Sequence, residues 1–142
     1  MNIVVLDASV IVKWVMPQKG DENDVEQALA LLENFKTQGR EIWQPPHWLA
    51  EVGAVLTRLV PETASADIRD LYEMEFPVVE TPEIFQHASE LSRTLDHHLF
   101  DTLYHAAAFH FGDAVLVTAD ERYYMKAKGQ GRIVLLKDFR VV

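Results

Sequence analysis

The sequence predicts an α/β fold with a central, mainly parallel sheet of about five strands covered by helices, and three observations predict it. Short apolar runs rich in β-branched residues recur along the chain, as in Ile3-Val4-Val5-Leu6 and Ala114-Val115-Leu116-Val117. Longer stretches with apolar residues at helical spacing separate them. Glycine and proline stand where one kind of stretch gives way to the other. Strands that alternate with helices favour a parallel sheet with helices on its faces.

Residues 3–6 read as a buried strand ended by Asp7, after which Ser9 is placed to cap a short helix beginning near Val10. Residues 21–38 read as a helix, with Val25, Leu29, Leu32 and Phe35 on one side, acids at the start and Gly39 at the stop. A brief strand at 41–43 leads to Pro45-Pro46, which opens a helix over 46–60 that Pro61 ends. Then follow a helix over 64–75, a strand over 76–80 and a helix over 82–95 with Ile84, Ala88 and Leu91 on one face. A helix over 100–111 stops at Gly112, before a strand at 114–117, a helix at 121–128 and a last strand at 132–136. No repeat or linker interrupts this order, and 18–24 is the most polar loop.

A chain of 142 residues, 49% hydrophobic, has the size of a single domain, taken as 1–142. With no cysteine, disulfides, zinc-thiolate sites and thiol nucleophiles are excluded. The first residues lack a basic leader and no run approaches the ~20 apolar residues of a membrane span, so the expectation is a cytoplasmic protein without membrane contact. The formal net charge of −9 disfavours broad attraction to nucleic acid and suits a basic protein partner. Clustered acids holding divalent cations would offset that charge where a phosphate approaches.

Most of the acids are solvated: Asp21, Glu22 and Asp24 lie at a helix start, and Glu33, Glu62, Asp67 and Glu73 in polar stretches. Four interrupt apolar sequence instead. Asp7 follows the first strand, Glu51 lies within Trp48 to Leu56, Asp101 sits between Phe100 and Leu103-Tyr104, and Asp120 follows Ala114 to Ala119. Acids in such places are seldom buried without a partner. In parallel α/β sheets ligands gather beyond the carboxyl ends of the strands, where Asp7 and Asp120 fall. If the strands preceding them are neighbours, Asp7, Asp101 and Asp120 share a crevice, with Glu51 reaching it from an adjoining helix. Their repulsion calls for a hard cation, Mg²⁺ or Mn²⁺. Taken singly, each acid has a plainer reading as a helix cap or, for Glu51, an ion pair with Arg58. Ser9 and Thr118 are either turn formers or hydroxyls that support a metal ligand.

These motifs resemble the PIN-domain nucleases, especially the VapC-type toxins of toxin-antitoxin pairs. Leu6-Asp7-Ala8-Ser9 is similar to the family's Asp-x-Ser element, and Pro46 through Leu56 to its Pro-x(n)-Glu-Val helix with the acid at Glu51. Phe100-Asp101-Thr102-Leu103-Tyr104 followed by Ala106-Ala107-Ala108 resembles its aromatic-Asp helix, and Leu116-Val117-Thr118-Ala119-Asp120 its Thr-x-Asp strand end. The resemblance implies a three-layer α/β/α sandwich, a metal-dependent endoribonuclease acting on RNA, a homodimer, and an antitoxin that covers the site. It implies Asp7, Glu51, Asp101 and Asp120 as catalytic metal ligands for Mg²⁺ or Mn²⁺, supported by Ser9 and Thr118. One departure stands out: where some relatives carry a further acid, this chain has Arg122-Tyr123-Tyr124, with Glu121 the nearest substitute.

Hydrolysis of a phosphodiester needs a nucleophile at neutral pH and stabilisation of charge on the phosphate, and a divalent ion serves both needs. His97, His98 and His105 surround Asp101; a zinc site through Asp101 and His105, or general-acid work by His97 or His98, competes with plain hydrogen bonding to the carboxylate. Trp14, Tyr123 and Tyr124 are either stacking platforms for bases or core residues. Lys13, Arg122, Lys126 and Lys128 form either a basic rim or a solvated face. Two other readings compete. One is a catalytically silent module that receives a basic peptide in the same groove. The other is a phosphoacceptor signalling domain, which wants an acidic pair after the first strand and an aspartate at the end of the third, where this chain offers Asp7-Ala8-Ser9 and Val79-Glu80. A haloacid-dehalogenase-type phosphatase fails for a similar reason, since Ser9 stands where its second Asp is needed.

Overall fold

Ile3–Leu6 form strand β1 in the computed structural model, which describes residues 3–16 and 22–141 of the chain. The order continues with α1 (Ala8–Val15), α2 (Glu22–Gln38), β2 (Glu41–Ile42), α3 (Trp48–Leu59), α4 (Ala64–Tyr72) and α5 (Pro82–Leu95). It ends with α6 (Leu99–Phe109), β3 (Val115–Thr118), α7 (Glu121–Ala127) and β4 (Ile133–Leu135). The expected helix start at Asp21 and most of the polar loop at 18–24 lie outside the described residues.

Four strands make one parallel sheet in the order β2-β1-β3-β4. The two central strands are β1 and β3, which explains their unbroken apolar composition: a strand covered on both faces has no polar side to alternate with. Leu6 stands opposite Val117, so the two strands end side by side. Helices flank the sheet, with α1 and α6 each packed on β1 and β3. One apolar cluster runs from Val4 to Leu136. Among the described residues no helix is long and apolar enough to cross a membrane.

Of the five strands expected, four are present, and the run at 76–80 is reduced to a single parallel bridge between Gln44 and Val78. The reason is local. Glu75 takes a left-handed conformation, Pro77 has no N–H to give to a ladder, and Thr81 already caps α5. Too little extended chain is left for a longer strand.

Gln44 connects this segment to the sheet. Its backbone N–H donates to Pro77 O and its carbonyl accepts from Val79 N–H, while its side chain turns the other way. There Oε1 accepts the Leu6 N–H at 2.8 Å and Nε2 donates to the Leu6 carbonyl at 2.8 Å. A side-chain amide thus takes the place of a strand partner for the last residue before Asp7. Gln44 and Leu6 are both fully buried, so removing the amide strands two backbone groups away from water. At ~1–3 kcal/mol for each unsatisfied group, Gln44→Leu is expected to lower the unfolding free energy by roughly 2–4 kcal/mol in urea titration. A loss below about 1 kcal/mol would show that the amide is not what holds this end of β1.

Candidate active site

The chain leaves β1 at Asp7 and immediately starts α1, with Asp7 itself as the N-cap. Its Oδ2 accepts both the Ser9 backbone N–H at 3.0 Å and the Ser9 hydroxyl at 2.5 Å. The expectation that Ser9 caps the helix is thereby corrected: a carboxylate satisfies two donors with one oxygen, and Ser9 is freed for a different link. The Ser9 hydroxyl oxygen accepts the Ala119 N–H at 3.0 Å, which ties the end of β1 to the end of β3 across the chain. Thr118 acts in the same corner, its Oγ1 accepting the Asp120 N–H at 3.0 Å. Asp120 then caps α7 by accepting the Tyr123 N–H on Oδ1 at 3.0 Å. Both aspartates therefore do the ordinary work of helix caps with one oxygen. Among the described residues Oδ1 of Asp7 and Oδ2 of Asp120 have no such bond.

Glu51 lies in the first turn of α3 and accepts the Tyr104 hydroxyl at 3.0 Å. Its other neighbour is His47 Nε2, at 3.8 Å from Oε2. Among the described residues no ion pair joins it to Arg58, so that plainer reading falls. Burial keeps His47 below its usual pKa, and its Nε2 is shared with the Phe100 carbonyl at 2.7 Å.

Asp101 lies in the first turn of α6 and joins the two sides of the site. Carboxylate oxygens of Asp7, Glu51 and Asp101 lie within 4.8 Å of one another, and ligand atoms of His97, Asp101 and Asp120 form a second such group. Asp101 belongs to both groups, with Asp7 and Glu51 on one side of it and His97 and Asp120 on the other, and Asp120 also adds to the repulsion at Asp7.

The electrostatics follow from this crowding. Burial, aided by repulsion from Asp101 and Asp120 and opposed by the Ser9 hydrogen bonds, raises the Asp7 carboxyl to about 6. Burial also raises Glu51 to about 7, against the Tyr104 hydrogen bond and with further repulsion from Asp7 and Asp101. The Tyr104 hydroxyl, buried and facing these acids, is held far above its usual value and stays a donor. Two carboxylates that resist ionisation next to a third form a place where a cation relieves strain in the charge balance. The donor set of Asp7, Glu51 and Asp101 consists of hard oxygens and fits Mg²⁺ or Mn²⁺.

The group with His97 is different. Lys126 Nζ lies 3.3 Å from His97 Nδ1, and an ammonium has only protons to give, so Nδ1 accepts. The ring proton then sits on Nε2 and is donated to Asp101 Oδ2 at 2.7 Å. His97 orients Asp101 and does not complete a ligand set of its own. His105 is equally occupied, between the Tyr123 hydroxyl at 2.9 Å and the Gly131 carbonyl at 2.8 Å, so the zinc pairing of Asp101 with His105 has no free nitrogen.

Trp14 and Tyr123 prove to be core residues. Trp14 is buried with its indole N–H on the Ala28 carbonyl, and Tyr123 is buried against His105. Glu121, the stand-in for a further acid, is exposed and pairs with Lys137 at 3.6 Å, outside both groups. Sequence reasoning missed His47 and the hydroxyl of Tyr104 as neighbours of Glu51. The signal for Tyr104 was its place three residues after Asp101, which sets both on one helix face.

Comparison with curated proteins finds no match. The model of the PIN-domain family matches residues 4–129, which takes in both strand ends and all four acids. PIN domains are generally nucleases that use divalent metal ions, and the acid cluster described above could hold one. On that match, over most of its length, the chain belongs to the PIN-domain family.

Proposed function

We propose that the protein is a Mg²⁺- or Mn²⁺-dependent endoribonuclease, with Asp7, Glu51, Asp101 and Asp120 as its catalytic metal ligands and Ser9 and Thr118 supporting them. The observation that carries this reading is the convergence of Asp7, Glu51 and Asp101 oxygens within 4.8 Å, just beyond the ends of two central parallel strands. An ion held by these carboxylates would supply Lewis-acid polarisation of the phosphate and acidification of a water. The chain's own residues provide the order. Ser9 fixes one oxygen of Asp7, Tyr104 fixes one of Glu51, and His97 fixes one of Asp101. Each carboxylate is thus held on one side and keeps its second oxygen for a ligand, an arrangement that lowers the reorganisation needed at the moment of reaction.

The motif order around Asp7-Ala8-Ser9 and Phe100-Asp101 supports the further reading that this is a VapC-type toxin of the cytoplasm, a single domain and a homodimer, silenced by an antitoxin. The net charge of −9 is consistent with a basic antitoxin segment. Purified protein stripped of any partner is expected to cut single-stranded RNA with Mn²⁺ and to leave it whole in a chelator. If RNA stays intact under both conditions, the chain is a silent binding module and the enzymatic reading fails.

A further inference from the structure

Four carboxylates make a poor landing place for a polyanion, so an RNA strand requires cationic contacts beside the reacting phosphate. A cavity of about 470 Å³ lies next to the acid cluster, and its wall includes Ser92, Asp96, His97, His98, Arg122 and Lys126. That volume is in the range of small-ligand sites, ~300–1,000 Å³. His97 belongs to both places, lining the cavity and donating to Asp101 at 2.7 Å. The helix α7 links them a second time: Asp120 caps it, while Arg122 and Lys126, four residues apart, share the face that meets the cavity.

Two cations in this wall stand against one carboxylate, that of Asp96, in a chain where acids predominate. Lys126 gives one proton to the Asp96 carbonyl at 2.7 Å and one to His97, which leaves a third. The exposed Arg122 has no hydrogen-bond or ion-pair partner among the described residues. Cationic donors with capacity to spare, in a cavity that adjoins the candidate metal ligands, match the chemistry of a phosphate.

We propose that this cavity seats the RNA backbone phosphate neighbouring the one that is hydrolysed, held by Arg122, Lys126 and His98. The proposal rests on the nuclease reading of the acid cluster. It assigns the strand a direction of approach, over the start of α7 and past His97 to Asp101.

The test is fluorescence anisotropy of the full chain with a 5′-hydroxyl single-stranded RNA oligonucleotide, in chelator so that nothing is cut, over a series of salt concentrations. Arg122→Gln with Lys126→Gln is expected to weaken binding about 10-fold and to make the slope of log K against log salt shallower by roughly 1.4, two contacts at ~0.7 each. Lys36→Gln with Arg58→Gln, a pair of exposed cations outside the cavity, is expected to leave the slope nearly unchanged. Equal losses in the two double variants, no loss in the first, or no salt-dependent binding by the wild type would each overturn the proposal. Cleavage of the same RNA with Mn²⁺ is scored separately. Absent cleavage with the cavity-specific binding loss intact sinks the nuclease reading and leaves the phosphate seat standing.

Discussion

Asp101→Asn is expected to reduce RNA cleavage by a factor on the order of 10² or more while the protein stays folded. Asp101 is the one acid that adjoins Asp7 and Glu51 on one side and Asp120 on the other, so losing its charge weakens the hold of the carboxylates on a cation. Asparagine keeps the shape, and its side-chain oxygen still accepts the His97 Nε2–H, so the local packing has no reason to change. The variant also carries a second signature. Asp101 contributes repulsion to both Asp7 and Glu51, so their carboxyls should titrate lower in the variant than in the wild type, read by carboxyl NMR shifts. Cleavage at near the wild-type rate would remove Asp101 from the chemistry. Unchanged titration of its two neighbours would mean that the carboxylates are not in contact through space.

Mn²⁺ is expected to stabilise the fold far more at pH 7.5 than at pH 5. The sign follows from the raised carboxyls. An acid that holds its proton more tightly in the folded state than in the unfolded state favours the metal-free fold at low pH, and that contribution is lost as pH rises through the folded value. For Asp7 the window runs from its ordinary 3.8 to about 6, and for Glu51 from 4.5 to about 7. His47, His87 and His105, all lowered chiefly by burial, push metal-free stability the other way over part of the same range. The increment that the ion adds is therefore the clean measurement, because histidines unchanged by the ion cancel in it. At pH 5 the ion must displace protons from Asp7 and Glu51, and each proton released makes apparent affinity rise up to ~10-fold per pH unit. At 100 times its dissociation constant the ion adds ~2.7 kcal/mol, readable as a shift in Tm. Calorimetry near pH 6 in two buffers of different ionisation heat should register the protons directly. A shift in Tm that is the same at both pH values, with no proton release, would place the ion somewhere other than on these carboxylates.

Much of this arrangement is legible in the residues. Helix α5 runs from Pro82 to Leu95 as its spacing indicates, because Thr81, Pro82 and the Ile84, Ala88, Leu91 stripe all agree with one another. The adjacency of β1 and β3 is foreshadowed by the acids at their ends, since two carboxylates that each follow an apolar strand call for a common reason. What the residues do not disclose is contact between distant side chains. Gln44 carries no pattern that marks it as a partner of Leu6, and the spacing that puts Tyr104 on the face of Asp101 does not say that its hydroxyl reaches Glu51 across 53 positions. Phe76 to Glu80 has strand composition, while the backbone at Glu75 and Pro77 limits it to a single bridge. Capping by Asp7 and not by Ser9 was a competition between two good caps, decided by the shape of the turn out of β1.

The bond from Ala119 N–H to the Ser9 hydroxyl spans 110 positions, and it bears on how the protein is made. A ribosome extrudes the amino terminus first, and β1 has no β3 to lie against until Thr118 has left the exit tunnel. A chain stopped short of β3 therefore has Asp7 and Glu51 but not Asp120, and the corner tied by Ser9 and Ala119 is not yet formed. On the nuclease reading proposed above, that order of synthesis keeps the full acid cluster from assembling until β3 has emerged.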